Sequence, residues 1–257
     1  MIFDFKNKGL KKNAKETTII NETNYEGEFL NTFKKLTIRH RAWDVWRDFI
    51  VLSACSVSNA LDKSNYDKRE KRYLKIIKGY SKTEANLFPK LFAHMVMALE
   101  KNPEQDFLGK MFMDLELGNK NNGQFFTPYH VCELMAEISM SDAKSVIKEK
   151  SYISINDPCC GAGATLIAGI HSVRKQLEKT KPKRNYQECV LVVAQDIDEI
   201  VALMCYLQIS LLGVAGYIKV GNALTEPITD DDKNENYWYT PMYFSKIWTY
   251  RRIIANL

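Results

Sequence analysis

Apolar residues in the first half of the chain recur at three- and four-residue steps, a spacing that predicts helices. The predicted helices span 29–61, 67–79, 84–100 and 103–117. Pro103 suits the first turn of the last of these helices, and Gly118 is well placed to end it. The pattern therefore predicts a helical N-terminal domain over 29–118, preceded by a polar tail over 1–28.

The pattern changes after residue 150, where short apolar runs alternate with helical segments. Strands are predicted over 152–155, 189–194 and 217–220, with a helix after each of the first two. The second run is apolar throughout, which is typical of a strand buried on both faces. Strands joined by right-handed helical crossovers predict the start of a doubly wound parallel sheet, and hence an α/β fold.

A glycine turn links the first predicted strand to its helix, and it reads Asn-Asp-Pro-Cys-Cys-Gly-Ala-Gly over 156–163. Gly161 and Gly163 allow positive φ angles and a close approach of a ligand to the backbone. The helix that follows presents unpaired N–H groups at its start. Because ligands of such sheets bind at the carboxyl ends of the strands, Asp157, Asp196 and Asn222 are predicted to share one site.

The residue types at these strand ends favour an adenosine-type cofactor. Asp196 suits the ribose hydroxyls, Ile197 a purine face and Asn222 a purine edge. The dinucleotide fingerprint is incomplete because Leu166 stands at its third glycine, and no P-loop Lys-Ser/Thr pair is present. Asp157 would repel a pyrophosphate but would accept a hydrogen bond from an α-amino group. S-adenosylmethionine therefore fits better than NAD.

A second segment with candidate chemistry is the aromatic run Phe125-Phe126-Thr127-Pro128. Thr127 is predicted to be the N-cap of the next helix, with Pro128 at the first helical position. Loops rarely carry paired phenylalanines without a packing or ligand role. The segment is therefore predicted to lie over the ligand of the following sheet.

Composition and charge limit the class of protein and the cellular compartment that the sequence predicts. The chain has 257 residues, 46% of them hydrophobic and 26% charged, and a net charge of +5, which permits nucleic-acid binding without demonstrating it. No apolar run is long enough for a membrane span, and no secretory pattern opens the chain. The six cysteines are scattered without a CxxC pair. These features predict a cytoplasmic protein with reduced thiols, no membrane association and no metal site.

Four segments, in this order, resemble motifs of adenine-specific DNA methyltransferases, in particular the modification subunits of type I restriction-modification systems and their phage and mobile-element relatives. The segments are 106–109 with 123–128, 157–163, 195–198 and 221–224. The resemblance implies a Rossmann-like, S-adenosylmethionine-dependent methyltransferase domain over 119–257, which acts on DNA.

By the same resemblance, the Phe-Phe-Thr-Pro segment lies along the methionine end of the cofactor and the glycine turn cradles its amino acid. Asp196 takes the ribose, while Ile197 and Asn222 contact the adenine. The implied cofactor-binding set is Phe125, Phe126, Thr127, Pro128, Asp157, Pro158, Cys159, Gly161, Gly163, Asp196, Ile197 and Asn222.

The chain departs from the family at the catalytic motif, which is Asn/Asp-Pro-Pro-Tyr/Phe at the end of a fourth strand. The nearest segment, 240–243, keeps the second-position proline and the aromatic, so Thr240, Pro241 and Tyr243 are the catalytic candidates, as a relic, a variant or a chance match. Two hypotheses stay open: a DNA methyltransferase, and a degenerate relative that binds S-adenosylmethionine, DNA or a partner without methyl transfer.

The predicted methyltransferase domain is incomplete at its C-terminus. A half-sheet would leave an exposed strand edge. The sequence therefore predicts a partner subunit or a homo-oligomer that completes the sheet and supplies target recognition.

Overall fold

A computed structural model describes residues 23–117, 126–229, 232 and 236–255. Its helices are α1 Tyr25–Thr37, α2 Ala42–Asn59, α3 Tyr66–Ile77, α4 Lys82–Ala85, α5 Leu87–Lys101, α6 Phe107–Asp114, α7 Tyr129–Ser139, α8 Ala143–Lys150, α9 Ala164–Glu178, α10 Glu199–Leu211 and α11 Lys246–Ala255. Its strands are β1 Ile153–Asp157, β2 Val190–Asp196, β3 Ala215–Val220 and β4 Tyr237–Tyr239. The protein is therefore a mixed α/β protein, with helices before the sheet and between its strands.

Capping side chains move two helix starts away from their predicted positions. The first helix begins inside the predicted polar tail because the Asn24 side chain accepts from the Gly27 N–H at 3.0 Å. The helix predicted from Pro103 begins only at α6, because Asp106 accepts from the Gly109 N–H at 2.8 Å and caps it. The single helix predicted over 29–61 is two helices, α1 and α2.

The sheet has the strand order β1-β2-β3-β4. The first three strands are parallel, with Ile155 opposite Val192 and Val192 opposite Gly216, which confirms the three predicted parallel strands. The fourth strand is antiparallel to β3, with Ile218 opposite Trp238. β1 and β2 continue two residues beyond their predicted ends, so Asp157 and Asp196 are the last residues of their strands.

Helices α9 and α10 pack together on one face of the sheet. Ile155 points to this face, where it contacts Gly169 of α9, and it is buried. Ser154 and Asn156, which alternate with it, are exposed on the other face. Helix α10 contacts α2 on its far side, so it lies between the sheet and another helix. This placement explains why apolar residues surround α10 instead of forming one stripe.

One contiguous hydrophobic core joins the N-terminal helices to the sheet. In α1 and α2, Phe29, Trp46 and Phe49 form edge-to-face or tilted ring pairs, with centroids 5.4–6.3 Å apart. Phe112 of α6 extends this cluster toward the sheet domain. Among the described helices, none is long and apolar enough to cross a bilayer.

Helix α3 is fixed to the sheet by two arginines. Arg69 forms a buried ion pair with Asp62, donates to the Tyr237 carbonyl oxygen at 2.9 Å and lies over the Trp238 ring. Arg72 donates to both carboxylate oxygens of Glu199, at the start of α10. The carboxyl ends of the strands are therefore flanked by α3.

Candidate cofactor-binding site

The glycine turn begins at the end of β1 and ends at Gly163, the residue before α9. Gly161 and Gly163 have φ angles of +55° and +97°, which favour glycine over any residue with a side chain. A Cβ on Gly163 would lie 3.0 Å from Cys205 Sγ of α10, which leaves little space for one. The turn therefore needs glycine at both positions, one of them because α10 packs directly beneath it.

Asp157 ends β1 and organises the start of the turn. Its carboxylate accepts from the Cys159 N–H at 3.0 Å and from the Thr165 hydroxyl of α9. The side chain is half-buried, while Pro158 and Cys159 are exposed beside it. A carboxylate has about four acceptor positions. Asp157 can therefore hold the turn and still accept hydrogen bonds from a ligand.

Asp196 ends β2 and ties that strand to the glycine turn. One carboxylate oxygen accepts from the Gly161 N–H at 2.9 Å, and the other accepts from the Asp198 N–H at 2.9 Å. Burial raises the pKa of Asp196, and the two N–H donors partly oppose that shift. Each oxygen keeps a second lone pair, so this half-buried carboxylate can also accept from a ligand hydroxyl.

Phe126 lies directly against the glycine turn. Its ring carbons would be 3.6 Å from a Cβ on Gly161, and its other side forms an edge-to-face pair with Phe112 at 5.3 Å. Phe126 therefore joins the helical region to the turn, as a residue over the ligand site would. Phe125 lies outside the described residues.

The prediction that Thr127 caps the next helix is wrong by one residue. The N-cap of α7 is Pro128, and no side chain caps this helix. Thr127 and Pro128 are both exposed, and the Thr127 carbonyl oxygen contacts Cys132 Sγ at 3.8 Å. The reason is geometric: Pro128 adopts an extended ψ of 133°, so its own carbonyl starts the helical hydrogen bonds. The Thr127 hydroxyl is consequently available at the surface.

Ile197 and Asn222 follow β2 and β3 at the same edge of the sheet. The Ile197 side chain is 70% exposed, so its apolar surface is available to pack on a planar ligand. Asn222 accepts from the Leu224 N–H at 2.9 Å through its side-chain oxygen, so its amide NH₂ remains for other partners. The structure thus brings the predicted strand-end residues to one edge.

The catalytic candidates lie at the opposite, amino edge of the sheet. Thr240 is fully buried; its hydroxyl accepts from the Gly216 N–H at 2.9 Å and donates to the Val214 oxygen at 2.8 Å. Pro241 begins a short 3-10 helix, and Tyr243 packs between Tyr239 and the Arg252 guanidinium. Because β4 runs antiparallel to β3, the segment after β4 is carried away from the glycine turn.

Sequence reasoning missed a buried polar network behind the turn. Gln208 of α10 is fully buried, and its Nε2 donates to Asp106 at 2.7 Å and to the Ala162 oxygen at 2.8 Å. Its Oε1 accepts from the Leu108 N–H at 3.1 Å. Burial raises the pKa of Asp106. A glutamine inside an otherwise apolar helix was the available signal, since buried amides need partners.

The described groups fit an adenosine that carries an amino acid. Gly161 and Gly163 keep the glycine turn free of side chains at two positions, and the two strand-end carboxylates retain acceptor positions for a ligand. The exposed Ile197 provides an apolar face beside them. A pyrophosphate at the glycine turn would meet the Asp157 carboxylate, which disfavours a dinucleotide.

The fold is that of an α/β protein in which two of the three parallel strands, β1 and β2, end in a carboxylate. The family model for N-6 DNA methylases matches residues 106–257, more than half of the chain. The chain therefore belongs to the N-6 DNA methylase family, which confirms the resemblance in the sequence motifs. None of the curated proteins compared with the chain matches it.

Proposed function

We propose that the protein is an S-adenosylmethionine-dependent DNA methyltransferase of the restriction-modification type, specific for adenine and located in the cytoplasm. One observation carries this proposal: a glycine turn in an N-6 DNA methylase chain is flanked by two half-buried carboxylates with free acceptor positions. The family supports DNA as substrate, and the Asp157 carboxylate at the glycine turn favours this cofactor over a dinucleotide.

Each strand-end residue has a proposed role in binding. Asp157 and the backbone of Gly161 and Gly163 hold the amino-acid end, with Pro158 and Cys159 beside them. Asp196 accepts from the ribose hydroxyls. The exposed Ile197 packs on the adenine, and the Asn222 amide faces its edge. The segment Phe125, Phe126, Thr127 and Pro128 borders the methionine end, which the contact of Phe126 with the glycine turn supports.

The cofactor supplies an electrophilic methyl group when bound. The chain's own part is to orient that cofactor and to exclude water on the side that Phe126 covers. An adenine acceptor has to leave the DNA stack to reach such a site, as bases do in other enzymes that modify them. The carboxyl edge, where Asp157 and Asp196 end their strands, is the side from which the base would approach.

A second candidate function is binding without methyl transfer. The observation in its favour is the position of Thr240, Pro241 and Tyr243 at the amino edge, where Thr240 has used its hydroxyl on the backbone. In this function the chain holds S-adenosylmethionine and contacts DNA or a partner, while methyl transfer needs groups from elsewhere.

A partner subunit or a second copy is proposed to complete the sheet. Among the described residues, β1 pairs with β2 alone, so its other edge is open. In doubly wound sheets, a further strand lies beside the first one. A strand added there would make the partial sheet a Rossmann-like methyltransferase sheet. The division into a helical domain over 29–118 and a methyltransferase domain over 119–257 remains a prediction.

Calorimetric titration with S-adenosylmethionine tests the cofactor, and transfer of labelled methyl to an adenine-containing duplex tests the reaction. We expect binding by the wild-type chain and a loss of about tenfold or more in Asp196→Ala, since a hydrogen-bonded charged group is removed. Asp142→Asn, an exposed residue whose side chain caps nothing, is the matched control.

The outcomes separate the two candidate functions. Binding with methyl transfer supports the methyltransferase, and binding with transfer at background supports the second candidate. If neither the wild-type chain nor Asp196→Ala binds S-adenosylmethionine, both candidate functions lose their proposed cofactor.

A further inference from the structure

Helix α3 presents a row of exposed lysines on one face. Lys68, Lys71, Lys75 and Lys78 follow one another at three- and four-residue steps, and all four side chains are exposed. Such steps place side chains on the same face of a helix. We call this row the α3 lysine stripe. Asp67, in the first turn, is an acidic neighbour of the stripe.

Charge pairing distinguishes the stripe from the arginines of the same helix. Arg69 is paired with Asp62, and Arg72 is paired with Glu199, so both arginines serve the packing of α3 on the sheet. Within the described part of the chain, no ion pair is formed by any of the four stripe lysines. The stripe therefore concentrates four positive charges that no ion pair holds in place.

The stripe adjoins the edge of the sheet that carries the candidate site. A cavity of about 90 Å³ is lined by Lys68 together with Glu199, Val220 and Tyr237. Val220 is the last residue of β3, two residues before Asn222. The two arginine anchors hold α3 in this position. A polyanion lying along α3 would consequently reach the carboxyl ends of the strands.

We propose that the α3 lysine stripe binds the sugar-phosphate backbone of duplex DNA beside the cofactor site. The stripe extends over the eleven residues 68–78, and the ten steps between its ends correspond to about 15 Å along the helix axis. One DNA strand carries a phosphate about every 3.4 Å of its axis, so the stripe can face about four phosphates. Such contacts give affinity and position without reading sequence.

This inference rests on the proposed function, because it is the DNA methylase family that makes DNA the expected polyanion. It adds the surface that receives the duplex and a direction of approach. The DNA lies across α3 and the carboxyl edge, while the amino edge with Thr240 faces away.

The test is a titration of fluorescently labelled duplex DNA with the full chain at several salt concentrations. The variant carries Lys68→Gln, Lys71→Gln, Lys75→Gln and Lys78→Gln, since glutamine keeps helix propensity and removes charge. The matched control changes four exposed lysines that precede β1 or β2, on the amino side: Lys144→Gln, Lys148→Gln, Lys150→Gln and Lys183→Gln. Circular dichroism checks that both variants fold.

We expect the stripe variant to bind duplex about 10- to 100-fold more weakly at low salt. The salt dependence of its affinity should correspond to about four fewer phosphate contacts. The affinity of the control variant for duplex should stay within about threefold of wild type. Its lower net charge has a small effect compared with the loss of direct phosphate contacts. Equal losses in the two variants, or no duplex binding by the wild-type chain, overturn the proposal. Unchanged duplex binding with weakened single-strand binding overturns it as well.

Calorimetry with S-adenosylmethionine on the same proteins keeps the two proposals separate. The stripe variant should bind the cofactor like wild type, since none of its lysines touches the glycine turn. A chain that binds duplex through the stripe but no S-adenosylmethionine would refute the proposed function alone. If the chain binds S-adenosylmethionine normally and the stripe variant binds duplex as tightly as wild type, only the proposal about the stripe is refuted.

Discussion

At the carboxyl edge of the sheet, Asp157 and Asp196 accept backbone or hydroxyl hydrogen bonds and are still half-exposed. At the amino edge, Thr240 is fully buried, and its hydroxyl is used on Val214 and Gly216. Polar residues end or follow strands at both edges. Only the carboxylates at the carboxyl edge are both partly exposed and left with free acceptor positions. The difference shows that a polar residue after a strand becomes a binding candidate only when packing leaves part of it unused.

The largest effect is expected from Gly163→Val, which tests whether the glycine turn is fixed by packing. The φ of +97° and the Cβ position 3.0 Å from Cys205 Sγ predict a loss of about 3 kcal/mol or more in the free energy of unfolding. Urea denaturation measures it. Gly169→Ala is the control, because a Cβ there makes an ordinary 3.4 Å contact with Ile155 and alanine favours a helix. Equal stability of the two variants would contradict this account of the turn.

Thr240→Val tests the amino edge directly. The substitution replaces the hydroxyl by a methyl group of similar size, so the buried Gly216 N–H loses its acceptor. We therefore expect the free energy of unfolding to fall by about 2 kcal/mol. Affinity for S-adenosylmethionine should be unchanged in calorimetry. Thr83→Val, at an exposed position of α4, should alter neither quantity. A variant of Thr240 with full stability and no cofactor binding would reverse the comparison of the two edges.

Asp106 provides a pH-dependent test of the network behind the turn. Burial raises the pKa of Asp106 in the folded chain, so its favourable contribution is complete below the unfolded pKa of about 3.9 and is lost as pH rises through the folded pKa. Asp106→Asn keeps an oxygen for Gly109 and Gln208 without the charge. The variant should gain stability relative to wild type by roughly 1 kcal/mol at pH 7, and this gain should vanish near pH 3.

Denaturation at a series of pH values measures the Asp106 effect. Asp142→Asn changes an exposed carboxylate and should show no such trend. A pH-independent difference between Asp106→Asn and wild type would mean that the carboxylate is not destabilised by burial.

The smallest effect on stability is expected from Ile197→Ala at the carboxyl edge. The side chain is 70% exposed, so the free energy of unfolding should change by less than about 0.5 kcal/mol. Affinity for S-adenosylmethionine should fall about fivefold, because the apolar contact with the adenine is lost. Ile38→Ala, at an 81% exposed residue before α2, should change neither. Unchanged affinity in Ile197→Ala would remove this residue from the site.

Much of the fold followed from local patterns. Apolar runs and glycine positions predicted the three parallel strands, and the continuous apolar run of β2 is typical of a strand covered on both faces. Helix starts were predicted less well. Asn24 and Asp106 cap α1 and α6 through side-chain hydrogen bonds that compete with the positions favoured by Pro103 or by the apolar pattern.

The candidate site was predictable where strand ends determine position, as for Asp157 and Asp196. The network around Gln208 was not, because it joins residues about a hundred positions apart in the chain. The position of Thr240 at the amino edge could not be predicted either, because the motif-like residues 240–243 do not reveal that β4 runs antiparallel to β3.

The sequence by itself determined the glycine turn, the strand-end carboxylates and the family motifs, since each depends on neighbouring residues only. Tertiary structure alone decided which of them keep free acceptor positions, which edge of the sheet each residue occupies, and that α3 begins beside the carboxyl edge with Lys68. The physical reason is that burial and hydrogen-bond saturation depend on distant segments. Antiparallel pairing of β4 with β3 places Thr240 at the amino edge, where its hydroxyl bonds the backbone. The ion pairs of Arg69 and Arg72 hold α3 beside the carboxyl edge.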